Sequence, residues 1–75
     1  MKVRVEGYSG YKANERPVRF CLGEQWRDVE EVTDRWYGPD AAYFGVRADD
    51  GNFYILKLDE NTHEWELSGY RASQR

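Results

Sequence analysis

The chain has 75 residues, a formal net charge of −3 and one cysteine, Cys21, so it forms one domain whose intramolecular disulfides are excluded. A chain of this size buries only about 60% of the surface it exposes when unfolded, so its twelve aromatic side chains, 16% of the sequence, are expected to supply most of the core. No apolar run approaches the roughly 20 residues of a membrane-spanning helix, and residues 1–20 hold no apolar stretch like that of a secretory leader, so the expected compartment is the cytoplasm.

In chain order, the first element is expected over residues 2–8, where Val3 and Val5 stand in phase as on a strand. It is read as an edge strand. The segment YSGYKANERPVRF, residues 8–20, follows. Its second part alternates, with Val18, Phe20 and Leu22 on one face and Arg19 and Cys21 on the other, and predicts a second strand over residues 17–22. Cys21 is expected to pack as a small apolar side chain. Gly23-Glu24 reads as a turn.

Residues 24–38, EQWRDVEEVTDRWYG, support two readings. Trp26, Val29, Val32 and Trp36 recur at helical spacing, and Gly38-Pro39 would stop a helix. The β-branched and aromatic content instead favours a long bent strand with a bulge, turning Trp26, Val29 and Trp36 inward. The strand is the preferred reading, with a helix at about 25–37 as the alternative.

Asp50-Gly51 suits a two-residue hairpin loop, because both central residues of a type I′ turn need positive φ. The expected hairpin joins residues 42–49 to 52–59, with Ala48 opposite Phe53, Val46 opposite Ile55 and Phe44 opposite Lys57. Tyr54, Leu56 and Leu58 then share the other face with Tyr43, Gly45 and Arg47. The last strand, about 63–70, alternates with Trp65 and Leu67 on one side. A three-residue loop after Asp59 puts Trp65 with Ile55 and Phe53; a four-residue loop moves it to the Leu56 and Leu58 face. The shorter loop is preferred.

Few residue groupings suit catalysis or metal binding. Asp59, Asn61 and His63 alternate like the start of a calcium loop, but the sixth position is Glu64 rather than glycine and the twelfth is Tyr70. One histidine and one cysteine are too few for the usual zinc sets. No Gly-rich phosphate or dinucleotide motif is present, and Ser9 and Ser68 lack a nucleophile–base arrangement. The expectation is a noncatalytic protein without cofactor or metal. The acidic balance is uneven, with residues 1–27 carrying +3 and residues 28–75 carrying −6. The basic, aromatic part defines a candidate partner or nucleic-acid surface: Tyr8, Tyr11, Lys12, Arg16 and Arg19, extended by Arg47 and Tyr54. The overall acidity disfavours nonspecific phosphate binding.

The stretches YSGYKANERPVRF (8–20), VEEVTDRWYGPDAAYFGVRADDG (29–51) and YILKLDENTHEWEL (54–67) together resemble a group of small bacterial cytoplasmic proteins that carry a domain of unknown function. The "VRF" strand followed by the "DRW" segment is also similar to a tail domain found in some bacterial proteins related to DNA-repair polymerases. The resemblance implies a small β-rich fold beside DNA-processing proteins, and it implies no catalytic residues.

These readings converge on an all-β fold. A small antiparallel meander of five or six strands, over residues 1–71, curls into a half-open barrel around Phe20, Trp26, Val29, Trp36, Phe44, Val46, Ile55, Trp65 and Leu67, with residues 72–75 as a frayed tail. The expected role is a noncatalytic protein-interaction module of a bacterial cytoplasmic protein. It would dock by an exposed edge strand such as that bearing Val3 and Val5, or by an apolar patch. The alternative role is a nucleic-acid-binding module.

Overall fold

A computed structural model describes residues 1–8 and 16–73. Six strands follow one another: β1 (Lys2–Tyr8), β2 (Arg16–Leu22), β3 (Gln25–Gly38), β4 (Ala41–Ala48), β5 (Phe53–Asp59) and β6 (Trp65–Arg71). Each pairs antiparallel with the next, and β1 returns to β6 to close a barrel. The closing seam is short, with Lys2 opposite Glu66 and Val3 opposite Trp65. The all-β meander expected from the turn spacing is the observed architecture, and residues 25–38 are strand.

The barrel is strongly sheared, as closure of a small sheet requires. From Trp65 the ladder leads through Leu58 and Ala42 to Tyr37 in one direction. In the other it leads through Val3 toward the Leu22–Gln25 pair. The two routes arrive at opposite ends of the 14-residue β3. One strand therefore serves both walls, first against β2 and then against β4. Register jumps at Val18, Glu30, Thr33 and Ser68 mark bulges, which bend and twist strands enough to close such a barrel.

The core is built from Val3, Phe20, Ala42, Phe44, Val46, Ala48, Tyr54, Leu56 and Leu58, with Val5, Leu22, Val29, Val32, Trp65 and Leu67 packed against it. Phe20 meets Tyr54 edge-on with ring centroids 5.0 Å apart, and Phe44 lies 5.5 Å from Trp65.

The structure corrects four expectations. The β4–β5 loop has three residues, not two: Ala48 N–H donates to Asn52 O and Gly51 N–H to Ala48 O, with Gly51 at φ +83°. Val46 therefore faces Tyr54 and Phe44 faces Leu56. The one-residue slip reverses β5, so that Tyr54, Leu56 and Leu58 point inward while Phe53, Ile55 and Lys57 point out. The β5–β6 loop has four residues, since Asp59 N–H donates to Glu64 O, and Trp65 joins Leu58 rather than Phe53 and Ile55.

Trp26, Trp36 and Ile55 leave the core. Trp26 lies on the outer face, where its neighbour on β2, Arg19, rather than the interior covers its ring. Trp36 is 38% exposed and stacks on Tyr43, 5.4 Å away and 2° from parallel. Finally, Val18 is a bulge residue and 46% exposed, while Pro17 beside it is fully buried. Proline has no N–H to lose, so a bulge suits it.

Candidate docking edge

β1 continues past the end of β6. Its ladder with β2 runs as far as Tyr8 opposite Arg16, whereas its ladder with β6 stops at Val3. The reason lies in the β5–β6 turn. His63 adopts φ +61° and its N–H donates to Asp59 O at 2.7 Å, so the chain swings away from β1 just before β6 begins. Asp59 anchors the turn further by accepting the N–H groups of Asn61 and Thr62, which hold its carboxyl below the usual value.

Among the described residues no strand pairs with the overhang on its β6 side. Met1 O accepts Leu67 N–H across the seam. Both main-chain groups of a strand residue point to one side, and the side alternates along the strand. Val3 and Val5 therefore face the β6 side, while Lys2, Arg4 and Glu6 face β2. Val3 meets Trp65. Val5 has no strand opposite it among the described residues.

A shallow groove of about 730 Å³ lies over β1 and this edge, lined by residues 1–6, by His63, Glu64 and Trp65 on the β6 side, and by Cys21, Gly23 and Trp26 on the β2–β3 side. Lys2 and Glu64 bridge its end at 2.9 Å, and this pairing raises the Lys2 pKa. Glu6 faces Arg19 at 3.7 Å. Arg4 pairs with no carboxylate among the described residues. Its guanidinium lies 5.6 Å from the centre of the Trp26 ring and 4.0 Å from Cys21 Sγ. Cys21 is buried, and its thiol donates to Gly23 O at 3.3 Å.

Two further free edges are blunted. Residues 29–38 of β3 pair with β4 alone, and bulges at Glu30 and Thr33 interrupt that stretch. The far half of β6 carries a bulge at Ser68. Bulges are a usual means of protecting an edge from unwanted pairing. On β1 the ladder stays regular from Arg4 through Glu6.

The structure describes only part of the set of residues singled out from sequence. Tyr11, Lys12 and the Tyr8 side chain lie outside the described residues. Tyr54 is 4% exposed, so the surface role expected of it is overturned: the three-residue turn directs it inward. Its hydroxyl instead donates to Asp50 Oδ2 at 2.6 Å. Arg47 is bound to Glu31 at 2.7 Å and to Glu30 at 3.6 Å. Arg16 is exposed beside the same two glutamates, so acid accompanies base here. Arg19 stands over Trp26, 4.5 Å from the ring centre.

Sequence reasoning missed Arg4 and Trp26 as neighbours of Arg19. The signal was the alternation of Lys2, Arg4 and Glu6, which places all three on the outer face once Val3 and Val5 face the core.

Among the described residues no cluster of side chains is suited to hold a metal ion, and no helix is long and apolar enough to cross a membrane. No family model, curated protein or solved structure matches the chain.

Proposed function

We propose that this protein is a noncatalytic interaction module that binds a partner protein by strand addition to β1. The observation that carries this reading is the overhang: β1 is paired to β2 in regular register from Arg4 through Glu6, and among the described residues no strand pairs with Val5 on the other side, where a groove lies. Strand addition gains affinity from main-chain hydrogen bonds and specificity from alternate side chains.

Val5→Pro tests this. Proline removes the groove-facing donor and leaves the ladder to β2 intact, because that ladder uses Arg4 and Glu6. Proline is tolerated in strands where its missing N–H faces outward. A partner captured by the parent protein should be lost by Val5→Pro and kept by Trp36→Ala, with circular dichroism confirming that both variants fold. A partner retained by Val5→Pro would refute strand addition.

A second reading is favoured by one observation. Arg4 and Arg19 both lie against Trp26 on the outer face of β1–β3, a cationic and aromatic combination that suits single-stranded nucleic acid. The sequence resemblance to a tail of DNA-repair-polymerase-related proteins supports the same direction. Fluorescence anisotropy with labelled oligonucleotides at low and moderate salt separates the readings. Phosphate contacts weaken steeply with salt, and an Arg19→Glu variant that binds like the parent would exclude this face.

A further inference from the structure

The geometry of the β1 groove points to the sequence class of the strand it takes, an extended segment in which apolar and acidic residues alternate. This inference rests on strand addition at β1 and specifies its chemistry. The apolar half of the pattern follows from the direction of the pleat. A strand laid against Val5 sends every second side chain to the inner side, where Val3 is 8% exposed and Val5 and Trp65 are only partly covered. Small or branched apolar side chains extend that core by one strand.

The acidic half follows from charge. The intervening side chains emerge on the outer face beside Arg4. Of the other charged side chains lining the groove, Lys2 lies 2.9 Å from Glu64 and Glu6 faces Arg19 at 3.7 Å. Among the described residues Arg4 pairs with no carboxylate. Arg4 is exposed, and its guanidinium lies 5.6 Å from the centre of the Trp26 ring and 4.0 Å from the Sγ of buried Cys21, beside the groove. A planar guanidinium favours a carboxylate, which it can grip with two parallel hydrogen bonds. A lysine at the same place on the incoming strand would meet like charge, which discriminates between partners more than it adds affinity. Arg4 is thus the specificity residue and Val5 the docking residue.

The test uses the whole protein and three labelled nonapeptides, in which valine alternates with glutamate, glutamine or lysine. Binding is followed by anisotropy, and protection of the Val5 amide by hydrogen exchange. The Val/Glu peptide is expected to bind roughly tenfold or more tighter than Val/Lys, a difference of about 1.4 kcal/mol. It should protect the Val5 amide and lose binding in Val5→Pro. Arg4→Glu should reverse the order of the charged peptides.

Equal binding of all three peptides, with Val5 protected, would overturn the acidic preference and leave strand addition standing. Binding of no peptide, with Val5 unprotected, would overturn both. Protection of Val5 that depends only on protein concentration would assign the edge to a second copy of this chain, and so refute the acidic segment as its occupant. An oligonucleotide that binds through Arg4 while the peptides do not would likewise refute it.

Discussion

At the residue scale, burial separates the aromatic side chains into three uses. Phe20 and Tyr54 fill the interior, Trp26 carries arginines on the outside, and Trp36 stacks on Tyr43 across the outer face. Phe20 is fully buried, so Phe20→Ala should cost about 3–5 kcal/mol, as large-to-small core changes do. Trp36→Ala removes a half-exposed ring and should cost about 0.5–1.5 kcal/mol, the range of one aromatic pair. Urea midpoints of the two variants check this, and equal losses would show that Trp36 contributes to the core. Both aromatics read alike in the sequence as large apolar side chains on strands. Only the bulges in β3 decide that Trp36 faces out.

Asp50 is the other informative residue. Its carboxylate accepts the Tyr54 hydroxyl at 2.6 Å and Asn52 N–H at 2.9 Å, and faces Arg27 at 3.3 Å. One side chain therefore joins the β4–β5 turn, the core and β3. Burial disfavours the charged form, but the hydrogen bonds and Arg27 outweigh it and lower its pKa below the ordinary 3.8. Burial and the bond to Asp50 raise the Tyr54 pKa. A depressed carboxyl pKa stabilises the fold fully above the unfolded value, and that stability is lost as the pH falls through the folded value. Asp50→Ala should cost about 1.5–3 kcal/mol at pH 7, the range for a hydrogen bond to a charged group. The gap between variant and parent should close as the pH drops below 3.8. Denaturation at a series of pH values measures it, and a gap independent of pH would remove the charge from the explanation.

At the element scale, the three-residue turn at Asp49-Asp50-Gly51 controls the most. Gly51 at φ +83° takes the position where a β-carbon is costly, so Gly51→Ala should destabilise by about 1–2 kcal/mol. Urea denaturation of Gly51→Ala gives the number. A loss near zero would mean that the turn relaxes to another type. The dipeptide Asp50-Gly51 marked the hairpin correctly, because glycine in this setting signals a tight connection. It did not distinguish two loop residues from three, since both loop types use a glycine at positive φ. That one residue carries Tyr54 from the expected surface into the core and Ile55 the other way.

At the scale of the whole molecule, five of the six strand pairings join neighbours in sequence, and β1 with β6 is the exception. The closing seam has two residue pairs, against seven between β4 and β5. Local opening should begin where fewest contacts hold the structure. The Val3 amide is therefore expected to exchange with deuterium faster than the Val46 amide under native conditions. Native-state hydrogen exchange tests the order, and equal rates would mean that the barrel opens only as a unit. The same short seam creates the candidate site, since β1 has an exposed edge because β6 starts late.

Alternation, β-branched content and punctuation by glycine, proline and aspartate determined by themselves that this chain is an all-β meander. They also located five of its six strands and favoured strand over helix for residues 25–38, because strand propensity and turn chemistry are properties of a few consecutive residues. The tertiary structure alone decided which face of each strand turns inward, where the bulges fall, and that Arg4, Trp26 and Arg19 come together. In a strand the side-chain period is two, so a single residue of loop length or bulge inverts a face. Both choices satisfy the local pattern nearly equally. What distinguishes them is the closure of six tilted strands around one small core, which no short stretch of sequence contains.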